Sequence, residues 1–290
     1  MAVSRDVQKQ ILAYQRNELT EHQIYLRLSQ HVKQPENRQV LLQMAADELQ
    51  HHWAWKQHTQ QDVRPSRFKI WKYVLLSRIL GLTFGLKLME RGEVGAQGAY
   101  LRLREAIPEV EAMVREEGQH ESALLALLDE ERLRYTSSIV LGLNDALVEL
   151  TGALAGFTLA LQNTKLIALT GSITGIAAAL SMSASEYLSI RSDTSAKNPG
   201  RAALYTGVAY VATVILLILP YLLITNFYIA LACTLVLAVA IIAFFTYYMS
   251  VARELPFRAR FLEMSGVSLG VAALSFGIGL VLRLFFNISV

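Results

Sequence analysis

The sequence of 290 residues contains one cysteine, Cys233, which lies in an apolar run. A single cysteine excludes a disulfide framework and a cysteine-based metal site. The formal net charge of +3 is too small to indicate a nucleic-acid partner, and we expect none. The first residues, MAVSRDVQKQILAYQRNE, lack the positively charged start and apolar core of a secretory signal, which predicts that the N-terminal part stays in the cytoplasm.

Charged residues are also scarce in the second half of the chain. Residues 1–134 hold 19 Lys/Arg and 18 Asp/Glu, whereas residues 135–290 hold 8 and 6, and all six histidines lie in the first part. This distribution predicts a water-soluble domain over residues 1–134 followed by a membrane domain over residues 135–290. Both are expected to be helical, so the fold class is all-α.

The soluble part shows apolar residues at spacings of three and four, which predicts amphipathic helices over about 7–33, 38–59, 68–107 and 109–134. Pro35 and Pro108 mark turns between them. The third run includes an apolar piece, Tyr73–Met89, that contains Arg78 and Lys87. It is too short and too charged for a membrane span, and we interpret it as a buried or membrane-surface connector.

One pattern occurs twice in this part. A glutamate is followed seven residues later by a tyrosine, then by a proline, and then by a Glu-x-x-His sequence. Glu-x-x-His places a carboxylate and an imidazole on one helix face, and two such helices plus a glutamate from each of two others form the di-metal site of a four-helix bundle. The predicted ligands are Glu18, Glu48, His51, Glu93, Glu117 and His120.

A single Glu-x-x-His usually marks a solvated helix face, and it is the second copy that favours a di-iron or di-manganese centre. Glu21 and Glu90 lie one turn from proposed ligands and are possible extra carboxylates. The remaining histidines are interpreted as surface or ligand-supporting residues: His22, His31, His52 and His58.

Residues 1–134 resemble a rubrerythrin-type, ferritin-like domain, which implies a four-helix bundle with the six ligands above. Ala96 stands where that family carries a further carboxylate, and the family's cysteine-rich rubredoxin module is absent. Both departures argue against a rubrerythrin-like peroxidase activity.

Five apolar runs of spanning length follow, at about 138–161, 166–190, 203–224, 227–249 and 264–287. Basic residues cluster between spans two and three and between spans four and five, so the positive-inside rule places these loops and the N-terminal domain in the cytoplasm and the C-terminus outside. The expected location is the cytoplasmic membrane.

Acidic residues interrupt two of these runs. Asp145 and Glu149 share one face of the first span, and Met182 and Glu186 share one face of the second. Acids within a span indicate an ion or proton path by default, and a thioether beside a carboxylate suits a transition-metal ion. Alternatively, Met182 is a packing residue and Glu186 reaches water at the cytoplasmic end.

The sequences GLNDALVELTGALAG and TGIAAALSMSASEYLSIRS are similar to the first two spans of the vacuolar iron transporter family, and the likeness covers residues 136–290. This resemblance implies a homodimeric exchanger that moves Fe2+, and often Mn2+, out of the cytosol against protons. It assigns the ion path to Asp145, Glu149, Met182 and Glu186. The usual Asn-Asp-Gly reads Asn-Asp-Ala here.

Three functional hypotheses follow. The first is a metal exporter whose soluble domain captures, senses or oxidises iron, with Asp145 binding the ion and the other path residues lining its cytoplasmic side. The second is a di-iron ferroxidase or peroxidase that the helices merely anchor. The third makes the soluble domain a metal-responsive gate. We rank the exporter first because an anchor has no reason to retain acids in two spans.

Overall fold

The computed structural model describes residues 5–89, 91, 115, 135–192 and 198–286. Within these ranges the regular structure is helical and no strand is present, so the predicted all-α fold is confirmed. The chain divides into two compact units, Met1–Glu130 and Glu131–Val290.

The first unit begins with a helical hairpin formed by α1 (Arg5–Ser29) and α2 (Pro35–Thr59). Pro35 occupies the first turn of α2, where its missing N–H costs no hydrogen bond and its fixed φ suits the helix. The sequence-based expectation placed the start of this helix three residues later. Side chains of both helices and of the segment that follows form one core: Ile24, Tyr25, Leu28, Leu41, Met44, Ala45, Ile70, Val74, Leu86 and Met89.

Helix α3 (Arg67–Leu80) packs against α1, and its N-cap is Ser66, whose side chain accepts a hydrogen bond from the backbone N–H of Lys69. We expected one uninterrupted helix from Phe68, but α3 ends at Gly81, which has φ 106° and ψ 151°. Only glycine adopts this conformation without strain. Residues 82–89 are helical again, and most of their side chains are buried. Apart from residue 115, the fourth predicted helix lies outside the described residues.

The second unit contains five long helices: α4 (Thr136–Leu161), α5 (Thr164–Ser192), α6 (Pro199–Leu223), α7 (Phe227–Ala252) and α8 (Phe257–Phe286). All five are long and apolar enough to cross a membrane, which confirms the five predicted spans. Many of their large apolar side chains are exposed on the outside of the unit, as expected for helices surrounded by hydrocarbon.

Helix α4 lies at the centre of this unit and contacts each of the other four helices. Glycines let these contacts be close: a Cβ added at Gly142 would lie 2.3 Å from the carbonyl oxygen of Thr206 in α6, and one at Gly279 in α8 would lie 2.4 Å from that of Gly156. Because hydrocarbon provides no hydrophobic driving force, such close packing is a main source of helix association in a bilayer.

Candidate functional site

Three side chains of the types that bind metal ions converge in the first unit. Glu18 of α1 and Glu48 and His51 of α2 each offer a ligand atom, and these atoms lie within 4.8 Å of one another. His51 Nδ1 is 3.5 Å from Glu48 Oε2 and 3.9 Å from Glu18 Oε2. All three side chains are buried, at 1–3% exposure. Two carboxylates and an imidazole, gathered in a space from which water is excluded, fit a hard or borderline divalent cation.

The surrounding side chains hold this cluster in place. Trp55 is fully buried one turn beyond His51, and its Nε1–H donates to Glu18 Oε1 at 3.1 Å. Gln15, one turn before Glu18, accepts at its backbone oxygen from His52 Nδ1 at 2.9 Å and at its side-chain oxygen from Thr59 at 2.7 Å. These contacts fix α1 against α2 from Gln15 to Glu18, and groups in such positions orient metal ligands.

The structure describes only some of the other residues that the sequence singled out in this unit. Glu21 is buried one turn along α1, but it is not part of the cluster that the described residues form. His52, interpreted from sequence as a surface or ligand-supporting residue, is buried and supports the cluster through Gln15. Four predicted residues lie outside the described ranges: Glu90, Glu93, Glu117 and His120.

In the second unit, three polar residues and one glycine form a row on one face of α4. Ser138, Gly142, Asp145 and Glu149 follow one another at spacings of four, three and four residues, which places them on a single helix face. At the start of this row, Ser138 Oγ donates to Glu186 Oε1 of α5 at 2.6 Å. Glu186 is 8% exposed, so its carboxylate lies between helices.

Deeper along the same face lie the two acids of α4. At ~1.5 Å per residue, Asp145 lies ~13 Å and Glu149 ~20 Å from the helix start. Tyr210 of α6, which is fully buried, donates its hydroxyl to Glu149 Oε2 at 2.8 Å. Met182 packs partly buried against the core, one helical turn deeper than Glu186 and ~15 Å from the end of α5. We call these residues the polar row: Ser138, Asp145, Glu149, Met182, Glu186 and Tyr210.

This geometry differs from the sequence interpretation in one respect. From sequence we expected Asp145, on the central face of the span, to bind the ion and Glu149 to line the cytoplasmic side of the path. In the structure Glu149 is nearest the midpoint of Thr136–Leu161, and it lies further than Asp145 from the end where Glu186 is found. This follows because α4 starts at the end where Glu186 lies, so the distance from that end increases with residue number.

Sequence reasoning missed Ser138 and Tyr210. Their partners are 48 and 61 residues away in the chain, a distance that local spacing does not reveal. A tyrosine in the middle of an apolar span was the available signal, because a buried hydroxyl requires a partner.

The row therefore offers three carboxylates, a thioether and two hydroxyls at successive depths of one unit. Carboxylates can bind either a proton or a cation, and a thioether favours transition-metal ions over Mg2+ or Ca2+. Glu149 is also exposed. A charge exposed at mid-span is costly in hydrocarbon, by ~2.5 kcal/mol or more, so this surface needs water or protein beside it.

Comparison with known proteins gave one result for this unit. A model described as "VIT family" matches residues 136–198, a stretch that contains α4, α5 and the residues Asp145, Glu149, Met182 and Glu186. Searches of curated proteins and of solved structures returned no match. The match supports the vacuolar iron transporter resemblance and, with the five apolar helices, indicates a multi-pass membrane protein that transports metal ions. No comparison supports the rubrerythrin-type resemblance of residues 1–134.

Proposed function

We propose that this protein exports Fe2+, and also Mn2+, from the cytosol in exchange for protons, and that the polar row is the path. The observation that carries the proposal is the set of carboxylates at three depths on and beside one face of α4. Each carboxylate can release a proton when it binds a cation and take one up when the cation leaves. Glu186 lies at the entrance, Asp145 and Met182 follow, and Glu149 with Tyr210 lies at mid-span.

The direction of transport follows from orientation. The basic loops beside α5 and α6 and beside α7 and α8 favour a cytoplasmic position for the Glu186 end. The N-terminal unit would then be in the cytoplasm and the C-terminus outside, in the cytoplasmic membrane. A homodimer is part of the proposal, because a second copy against the exposed side of Glu149 would remove that acid from the lipid.

The Glu18, Glu48 and His51 cluster supplies the cytoplasmic part of the proposal. These residues would hold one ion of a di-iron or di-manganese centre, and the second predicted Glu-x-x-His, with Glu93, would complete it. A bound pair of iron ions supplies one-electron redox chemistry. The protein side chains exclude water and orient the carboxylates, and the unit would capture, sense or oxidise cytosolic iron.

Proteoliposomes loaded with a metal-sensitive dye test the transport proposal. As Fe2+ or Mn2+ enters, protons should leave, so the pH inside the vesicle should rise. Asp145→Asn should abolish both the metal signal and the pH signal. Glu263→Gln is the matched control, because Glu263 lies near the start of α8 and pairs with Arg260 at 3.3 Å instead of joining the row. Transport by Asp145→Asn at the wild-type rate would show that the path is wrongly assigned.

The second candidate function is a membrane-anchored ferroxidase or peroxidase, which the buried Glu18, Glu48 and His51 cluster favours. Stopped-flow mixing of the full-length protein with Fe2+ and dioxygen, the electron acceptor, distinguishes the two. Many turnovers of oxidation without metal flux in proteoliposomes would support the anchored enzyme.

Under the gate hypothesis, Glu48→Gln alters the dependence of flux on cytosolic metal and leaves the maximal flux intact.

A further inference from the structure

Helix α3 exposes large apolar side chains on the face opposite its core contacts. Its inner face buries Ile70, Val74 and Ser77. On its outer face Phe68 is 70% exposed, Trp71 60% and Ile79 59%. The spacing of these three residues, with Lys72, Leu75 and Arg78 between them, forms one continuous helical stripe. A contiguous exposed apolar patch of this kind is typical of a surface that contacts a membrane or another protein.

The charge of this segment has one sign. Residues 63–89 contain no aspartate or glutamate, and they contain six basic residues: Arg64, Arg67, Lys69, Lys72, Arg78 and Lys87. Arg67, Lys69 and Arg78 are exposed, and the Lys72 ammonium lies 5.0 Å from the centre of the Tyr73 ring. A positive border around an apolar stripe is complementary to an anionic surface that has an apolar interior.

A cavity adjoins the stripe and repeats this chemistry. It has a volume of about 380 Å3, and its lining includes Arg27, His31, Trp71 and Arg78 without any acidic side chain. The indole ring of Trp71 and the guanidinium groups of Arg27 and Arg78 therefore line the same cavity, and guanidinium groups bind phosphate through paired hydrogen bonds. The space can accept a phosphate-bearing headgroup while Trp71 lies beside it.

We propose that the outer face of α3 docks on the anionic phospholipid surface of the membrane. Tryptophan and phenylalanine bordered by lysine and arginine are the composition of helices that lie in the membrane interface. Because the same chain carries five spans, this helix is tethered to a bilayer, and weak attraction is enough for docking. Each basic residue near an anionic bilayer strengthens binding about five-fold. This proposal does not depend on the transported ion or on the metal cluster.

Tryptophan fluorescence gives a direct test in the full-length protein. The chain has three tryptophans, Trp53, Trp55 and Trp71, and all belong to the first unit, so the spans add no background. In proteoliposomes made with brominated phosphatidylcholine and phosphatidylglycerol, the bromine atoms should quench the emission of Trp71. Because both leaflets carry the quencher, the orientation of the protein in the vesicle does not matter.

Two variants identify the residue that is quenched. Trp71→Phe should abolish the quenching. Trp53→Phe is the matched control, since Trp53 is also exposed, at 52%, but lies on α2 with the Lys56 ammonium over its ring. This variant should retain the quenching. Quenching that disappears in Trp53→Phe and persists in Trp71→Phe would overturn the proposal.

Charge variants test the lipid specificity. Arg67→Glu with Lys72→Glu should reduce quenching to the level seen in vesicles of phosphatidylcholine alone, whereas Lys33→Glu with Arg38→Glu, in the turn and first part of α2, should leave it unchanged. Equal quenching with and without phosphatidylglycerol would refute the anionic preference. If Trp71 is shielded from acrylamide in water yet is not quenched by the lipid bromines, a protein surface covers α3 and the proposal fails.

Discussion

Tyr210→Phe is the most informative single change in the membrane unit, since it removes one oxygen atom and leaves the ring that fills the space. The hydroxyl of Tyr210 donates to Glu149 Oε2 at 2.8 Å, and the ring is fully buried. If Glu149 is the mid-span step of the path, Tyr210 determines where its carboxylate points. The variant should therefore fold normally and transport poorly.

The magnitude follows from the bond. A hydrogen bond to a charged group contributes ~1.5–3 kcal/mol, which corresponds to a ~10-fold to ~100-fold change in an equilibrium. Glu149 is exposed on its other side, so other donors can replace part of the lost interaction, and the lower end of this range applies. We expect the rate of Mn2+ flux into proteoliposomes to fall about ten-fold.

The matched control for this variant is Tyr205→Phe. Tyr205 lies on the same helix and stacks on Tyr135 with 5.2 Å between ring centres, outside the polar row, and its loss of a hydroxyl should not slow transport. Wild-type flux in Tyr210→Phe, combined with loss of flux in Glu149→Gln, would show that the acid acts without this hydroxyl. Wild-type flux in both variants would remove Glu149 from the path.

Two further predictions concern packing and ligand support. Gly142→Ala should destabilise the membrane unit by ~1–3 kcal/mol, because the new methyl group meets the backbone of Thr206. Thermal unfolding followed by circular dichroism should show a lower midpoint for this variant. In the control variant Gly270→Ala the methyl group meets open space, so the midpoint should not fall. Trp55→Phe removes the donor to Glu18 and should weaken metal binding by the first unit at least ~10-fold, measured by competition with a chelating dye; unchanged affinity would mean that the indole only fills space.

Local sequence patterns predicted the helices well because the forces that form a helix act within a few residues. Hydropathy and length located the five spans to within a few residues, except that α8 begins seven residues earlier than expected, at Phe257. The polar start of α8, which includes Arg258 and Arg260, has no hydropathy signal. The break at Gly81 was missed for a related reason: a glycine inside an apolar run is compatible with a continuing helix or with a stop.

The sequence predicted those pairs of site residues that lie on the same helix. Spacing alone paired Glu48 with His51 and Asp145 with Glu149. It could not show that Trp55 donates to Glu18 or that Ser138 donates to Glu186, since these bonds join different helices. The depth of Glu149 was available from sequence, because it follows from counting residues along the span.

The burial of the two sites predicts different residence times for metal ions. Glu18, Glu48 and His51 are enclosed, whereas the polar row is partly exposed at Asp145 and Glu149. An enclosed site has to open before it loses an ion, while a transport path must release its ion at every cycle. Protein loaded with Mn2+ and then passed rapidly through a desalting column should therefore keep ions in the first unit alone.

Metal analysis of two variants after this desalting step separates the sites. Glu48→Gln keeps the shape of the side chain but removes a ligand charge from a closed site, so it should lose the retained metal. Asp145→Asn should retain as much metal as the wild type and lose transport. If Asp145→Asn also releases its metal, the path holds ions as firmly as the cluster does, and its assignment as a site of rapid exchange is wrong. If Glu48→Gln retains its metal, the ion is held elsewhere in the protein.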